Sequence, residues 1–114
     1  MIVKQGETRR YRFFTYERGT SNKIRLRPAA IVFTVASQEG GRSKNVITKS
    51  FDDGITFDEE TGKYVLTLKP SDTINLCPGN YAFDVKISRS NDEYFIVGQG
   101  YLTIEKSYTG IIGG

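Results

Sequence analysis

The sequence predicts an all-β domain, an antiparallel β-sandwich of about seven strands. Three observations carry that expectation. Apolar residues alternate with polar ones at a period of two along most of the chain, turn-forming residues interrupt the alternation at short intervals, and almost no helical periodicity is present. A chain of 114 residues holds one core of ordinary size. Residues 1–114 are therefore expected to form a single domain, with 109–114 as a frayed tail. Seven Tyr and seven Phe supply core volume in a chain without Trp.

Taken in order, Tyr11, Phe13 and Thr15 share one face of a first strand, with Arg10, Arg12, Phe14 and Tyr16 on the other. After turn signals at Gly19 to Asn22, Ile31, Phe33 and Val35 alternate with Val32, Thr34 and Ala36. Gly40-Gly41 turns the chain into a strand over Val46 to Phe51, and Asp52-Asp53-Gly54 separates it from Ile55 to Phe57. Asp58 to Gly62 reads as a hairpin connection, with Gly62 free to take positive φ, leading into Tyr64, Leu66 and Leu68. Ser71 to Leu76 is the one helical candidate, a turn or two stopped by Pro78 and Gly79. Tyr81, Phe83, Val85 and Ile87 form the clearest alternation, and after Ser90 to Asp92 a last strand spans about Tyr94 to Ile104, interrupted by Gly98 and Gly100. The expected core is Phe33, Val35, Leu66, Leu68, Tyr81, Phe83, Val85, Leu102 and Ile104.

Composition excludes much chemistry. The chain has no His and one Cys, so histidine triads, histidine metal sites, thiolate zinc cages and internal disulfides all fall away. Asp52, Asp53, Asp58, Glu59 and Glu60 form the one carboxylate-rich stretch. Their spacing does not match a calcium loop, and they read as solvated turns with no metal assigned. Gly98-Gln99-Gly100 is no dinucleotide fingerprint and reads as a bulge or close strand contact. Cys77 has no basic neighbour in sequence and reads as an inert thiol. Neither catalytic nor cofactor-binding residues are assigned, and the expectation is a protein that is not an enzyme and needs no cofactor.

Charge is distributed unevenly. Residues 1–27 carry eight basic and two acidic residues, while the remainder carries eight basic and eleven acidic, for a net +3 overall. Arg9, Arg10, Arg12, Arg25 and Arg27 are the candidate protein-docking residues, suited to an acidic patch on a partner or on another copy. Interleaved with Tyr11, Phe13, Phe14 and Tyr16, the same arginines allow single-stranded nucleic-acid binding as an alternative. Exposed Tyr side chains with acidic loops allow a carbohydrate or cell-surface binding module as another. The start of the chain has no apolar signal-peptide core, and no run reaches the roughly 18 residues of a transmembrane helix, so no membrane partner is expected.

The run Gly54-Ile-Thr-Phe-Asp-Glu-Glu-Thr-Gly62, followed by Tyr64-Val-Leu-Thr-Leu-Lys69, Pro70-Ser-Asp-Thr73, Leu76-Cys-Pro-Gly-Asn-Tyr81, Asp84-Val85 and Gly100-Tyr-Leu-Thr-Ile104, resembles a recurrent phage module. It is similar to the immunoglobulin-like N-terminal domain of phage baseplate upper proteins and to related small prophage tail proteins, over about residues 8–109. The resemblance implies an immunoglobulin-like sandwich that serves as a structural, non-enzymatic assembly module of a phage or prophage tail. It would dock other tail or baseplate proteins or its own copies, as a virion component made in the bacterial cytoplasm. Leu76, Pro78, Gly79 and Tyr81 also resemble the tyrosine corner of sandwich domains, in which the phenol hydroxyl bonds backbone upstream and pins the entry to a central strand.

Overall fold

In the computed structural model, which describes residues 1–17, 19–39, 42–90 and 93–108, the chain is all-β. The strands are β1 (Ile2–Lys4), β2 (Arg9–Phe14), β3 (Ala30–Glu39), β4 (Arg42–Phe51), β5 (Gly54–Asp58), β6 (Lys63–Leu68), β7 (Gly79–Ser90) and β8 (Glu93–Glu105). One helical turn, α1 (Pro70–Thr73), precedes β7. The anticipated tail at 109–114, the Gly40-Gly41 turn and Asn91-Asp92 lie outside the described residues.

All eight strands belong to one hydrogen-bonded sheet, in the order β1-β8-β7-β3-β4-β5-β6-β2, curled nearly into a barrel. Two separately bonded antiparallel sheets were expected; the difference has two local causes. The first is the Asp52-Asp53-Gly54 segment. Asp52 at φ 63° and Gly54 at φ 99° step the chain sideways without reversing it. Ser50 and Phe51 then pair in parallel with Gly54 and Ile55, which joins β3-β4 to β5-β6-β2 in one sheet. The second is β1, too short for its alternation to be read from sequence, which adds in parallel to the end of β8 with Val3 opposite Ile104. The remaining pairings are antiparallel, and the long hairpins β3-β4 and β7-β8 form the largest part of the wall.

The alternation places its apolar members inside. Ile31, Phe33 and Val35 of β3, Leu66 and Leu68 of β6, Tyr81 and Val85 of β7, and Leu102 and Ile104 of β8 are buried together with Val3, Ile47, Ile55, Tyr64 and Ile87. Of the expected core only Phe83 is half-buried. It packs against Phe33 with ring centroids 5.5 Å apart, and Gly100 opposite it leaves space for the ring: a Cβ there would come within 3.1 Å of Phe83 Cε2. Tyr64 lies between Phe13, stacked at 4.8 Å, and Phe57 at 4.6 Å.

One end of the barrel is closed by polar contacts. Gly6 N donates to Thr73 Oγ1 at 3.0 Å, and Gln5 Nε2 donates to the Leu76 carbonyl at 2.7 Å. Lys49, on β4, is buried and pairs with Asp72 of α1 at 2.8 Å. Asp72 also accepts the Lys69 N–H at 2.7 Å, so one carboxylate caps the helical turn and neutralises a buried ammonium.

Candidate protein-docking interface

β7 and β8 carry their inward row on Tyr81, Phe83, Val85 and Ile87, opposite Leu102, Gly100, Gly98 and Phe95. The outward row of β8 therefore consists of Tyr94, Ile96, Gln99, Tyr101 and Thr103, the step from 96 to 99 being set by the irregularity opposite Val85/Lys86. Tyr94 is 60%, Ile96 58% and Tyr101 70% exposed. β1 extends the row, because Ile2 pairs with Thr103 and is itself 54% exposed. Phe95 and Val97 add exposed apolar surface at the far end of the hairpin. Four large apolar side chains in line on one outer face form a patch of the kind that marks docking surfaces. Lys86, Tyr94 and Ile96 border a shallow hollow there.

The same strand has a free edge. β1 pairs with residues 103–105 of β8, and the N-terminal amine reaches the Tyr101 carbonyl at 3.2 Å. From Glu93 to Gly100, among the described residues, only β7 pairs with β8. At the other end of the sheet, β2 pairs among the described residues with β6 alone. The two end strands approach where the Tyr11 hydroxyl donates to the Ile2 carbonyl at 2.6 Å. Burial raises the Tyr11 pKa, and the Arg9 guanidinium beside it pulls the other way.

The five candidate arginines are divided between β2 and the loop that follows it. Arg10 and Arg12 lie on the outer face of β2, with Lys63 opposite Phe14 on β6. Arg9 occupies the inward-facing register at the start of β2 and touches Tyr11. Arg25 is an exposed loop residue beside Gly62. Arg27 lies 4.1 Å over the Phe51 ring, a cation–π contact that occupies its guanidinium. Among the described residues the one salt bridge is Lys49–Asp72, so Arg10 and Arg12 have no carboxylate partner there. The aromatic rings between the arginines are engaged: Phe13 stacks on Tyr64, Lys23 lies 3.9 Å over Phe14, and Tyr11 is bonded to β1.

At the corner, the Tyr81 hydroxyl donates to the Cys77 carbonyl at 2.6 Å, and the ring is buried. Leu76 is half-buried against the core, Pro78 is exposed, and Gly79 opens β7 at φ 151°. Cys77 is exposed. Asp58 closes its own turn, with Oδ1 accepting Glu60 N at 3.1 Å and Oδ2 accepting Thr61 Oγ1 at 2.9 Å. Among the described residues no group of three acidic or thiol side chains is gathered to hold a metal ion. No helix among them is long and apolar enough to cross a membrane.

Sequence reasoning missed the outward row of β8. Tyr94-Phe95-Ile96-Val97 is a continuous apolar run, and such a run gives no indication of which face a sheet leaves uncovered. Neither a family model nor a curated protein matches this chain.

Proposed function

We propose that this chain is a non-enzymatic assembly module that works by docking to protein surfaces. The observation that carries the reading is the exposed apolar row Tyr94, Ile96, Tyr101 and Ile2 on the outer face of β8 and β1, next to a free strand edge. The resemblance over about residues 8–109 to phage modules supplies the setting: a phage or prophage tail or baseplate, with other tail components or further copies as partners. Within that proposal the chain is kin to the immunoglobulin-like modules of baseplate proteins, their two layers joined here through the β4-β5 step. Nucleic-acid binding through β2 is the weaker reading, because base stacking needs open aromatic faces and Phe13 and Phe14 each already have a ring face covered.

The test is particle association. When particles are induced from a host carrying the gene, the chain is expected to co-sediment with tail structures. Ile96→Glu/Tyr101→Glu, which leaves the core untouched, is expected to fold and remain in the supernatant. A wild-type chain found neither in particles nor in any self-assembled species would reject the reading.

A further inference from the structure

Between β2 and β8 the barrel wall is open. Tyr11, Arg12, Phe13, Phe14 and Thr15 form one side of a slot of about 310 Å³, and Val97, Gly98 and Gln99 form the other. Phe33, Leu66, Phe83 and Val85 make its floor, and Met1 lies at one end. Following the pairings around the sheet, β2 and β8 run antiparallel to each other. The slot is pinched at the Tyr11–Ile2 hydrogen bond and leads away toward Thr15 and Val97.

We propose that this slot receives an extended segment of a partner protein, one that alternates apolar and acidic residues and completes the barrel as an additional strand. The inference rests on the docking reading and names a second surface for it. Among the described residues both walls are sheet edges without a partner strand along the slot, so each offers a row of backbone donors and acceptors to an incoming chain. An apolar floor takes alternate side chains of that chain. The opposite set points outward beside Arg12, with Arg10 next on the same face of β2 just past the pinch; neither has a carboxylate partner among the described residues, so this face selects acidic side chains.

Thr15 adds an independent observation. It is 5% exposed, it lines the slot, and its hydroxyl oxygen makes no hydrogen bond of regular geometry, although the Tyr64 phenol is its neighbour. A buried hydroxyl left with only an irregular contact to the Tyr64 phenol is incompletely satisfied, and a strand in the slot brings polar backbone to it. A second copy is a poorer occupant through this wall. Two β2 edges brought together would set Arg10 and Arg12 against their own counterparts, and like charges in register repel.

The experiment uses the full chain, ¹⁵N-labelled, titrated with three acetylated, amidated octapeptides. The first alternates valine and glutamate, the second alternates valine and lysine, and the third has the composition of the first with its valines grouped together. Saturable binding of the first alone is expected, with shifts and slowed amide exchange on both walls, at Arg12 to Thr15 and at Val97 to Gln99. Arg10→Gln/Arg12→Gln should abolish the discrimination between glutamate and lysine peptides, and Arg10→Glu/Arg12→Glu should reverse it by roughly tenfold or more.

Equal binding of all three peptides, no saturable binding, or shifts confined to Tyr94, Ile96 and Tyr101 would each overturn the proposal. So would toluene filling the slot while the peptides do not, since the site would then suit a small apolar ligand. Concentration-dependent shifts on the two walls without peptide would make the occupant a second copy and overturn the acidic partner. The particle test with Ile96→Glu/Tyr101→Glu reads the outer face of β8 independently, so either surface can fail while the other stands.

Discussion

Removing the Asp72 carboxylate should destabilise the protein far more than removing the Lys49 ammonium. In the native fold the Lys49 side chain is 7% and the Asp72 side chain 18% exposed, and Nζ lies 2.8 Å from one carboxylate oxygen and 3.0 Å from the other. Asp72→Ala leaves a buried ammonium without its counter-charge, a change that costs about 3 to 5 kcal/mol in closed sites. The residual exposure of Asp72 places the expectation at about 3 kcal/mol, loss of the Lys69 N–H acceptor included. Lys49→Met keeps the stem volume, leaves a carboxylate with some access to water and preserves the cap. It should cost no more than about 1 kcal/mol. Equilibrium denaturation in urea at neutral pH reads both values, and the Lys49→Met/Asp72→Ala double variant completes the cycle. It should be more stable than Asp72→Ala alone, since the stranded charge is gone. A loss below about 1 kcal/mol for Asp72→Ala, or a double variant no better than the single, would refute the reasoning by showing that Lys49 reaches solvent.

Three further outcomes follow from the described contacts. Tyr81→Phe removes the hydroxyl that bonds the Cys77 carbonyl at 2.6 Å and should cost about 1 to 3 kcal/mol, read as a fall in the urea midpoint without a change in slope. Gly62→Ala should cost about 2 kcal/mol or more by thermal denaturation. The glycine sits at φ 75°, and a Cβ there would stand 2.8 Å from the Ile24 carbonyl oxygen, a backbone atom held by the loop that packs on β2. Burial raises the pKa of Tyr64 and Tyr11 in the folded chain, so the native state keeps phenol protons that the unfolded chain releases. Stability is then intact below about pH 10 and falls as pH rises beyond it; ultraviolet titration should show phenol ionisation extending above the ordinary value, and Tyr11→Phe and Tyr64→Phe should each remove part of that late step.

The inward rows were legible in the sequence because a half-buried strand writes its faces at period two. Ile31, Phe33 and Val35, or Leu66 and Leu68, are spaced as they pack. Sheet connectivity was not legible. Asp52-Asp53-Gly54 is as good a reversal as any by composition, and only the dihedrals at Asp52 and Gly54 turn it into a sideways step that keeps β4 and β5 in one sheet. β1 has three residues, too few for a period to be counted, yet Val3 is among the most buried side chains. For the candidate interface, the sequence located the arginines but not what each one touches. Arg27 is withdrawn by Phe51, a residue 24 positions away that no local pattern connects to it.

An open sheet edge carries a hazard of indiscriminate pairing, and proteins restrain it with charge and irregularity. On the β7-β8 hairpin the ladder breaks between Val85 and Lys86 and between Ser88 and Ser90, and Lys86, Arg89 and Glu93 stand near its far end. These features disfavour a flat neighbour but do not cover Tyr94, Ile96 or Tyr101. β2 is restrained differently, by cations alone, since it pairs in unbroken register with β6 from Arg9 to Phe14. A flat edge guarded by cations rejects a copy of itself and admits a strand that brings carboxylates. The apolar face of β8 and the cationic edge of β2 therefore ask for different complements. One partner could satisfy both only by presenting an apolar surface and an acidic extended segment at once, which favours a folded component with an extended arm over a second copy of this chain.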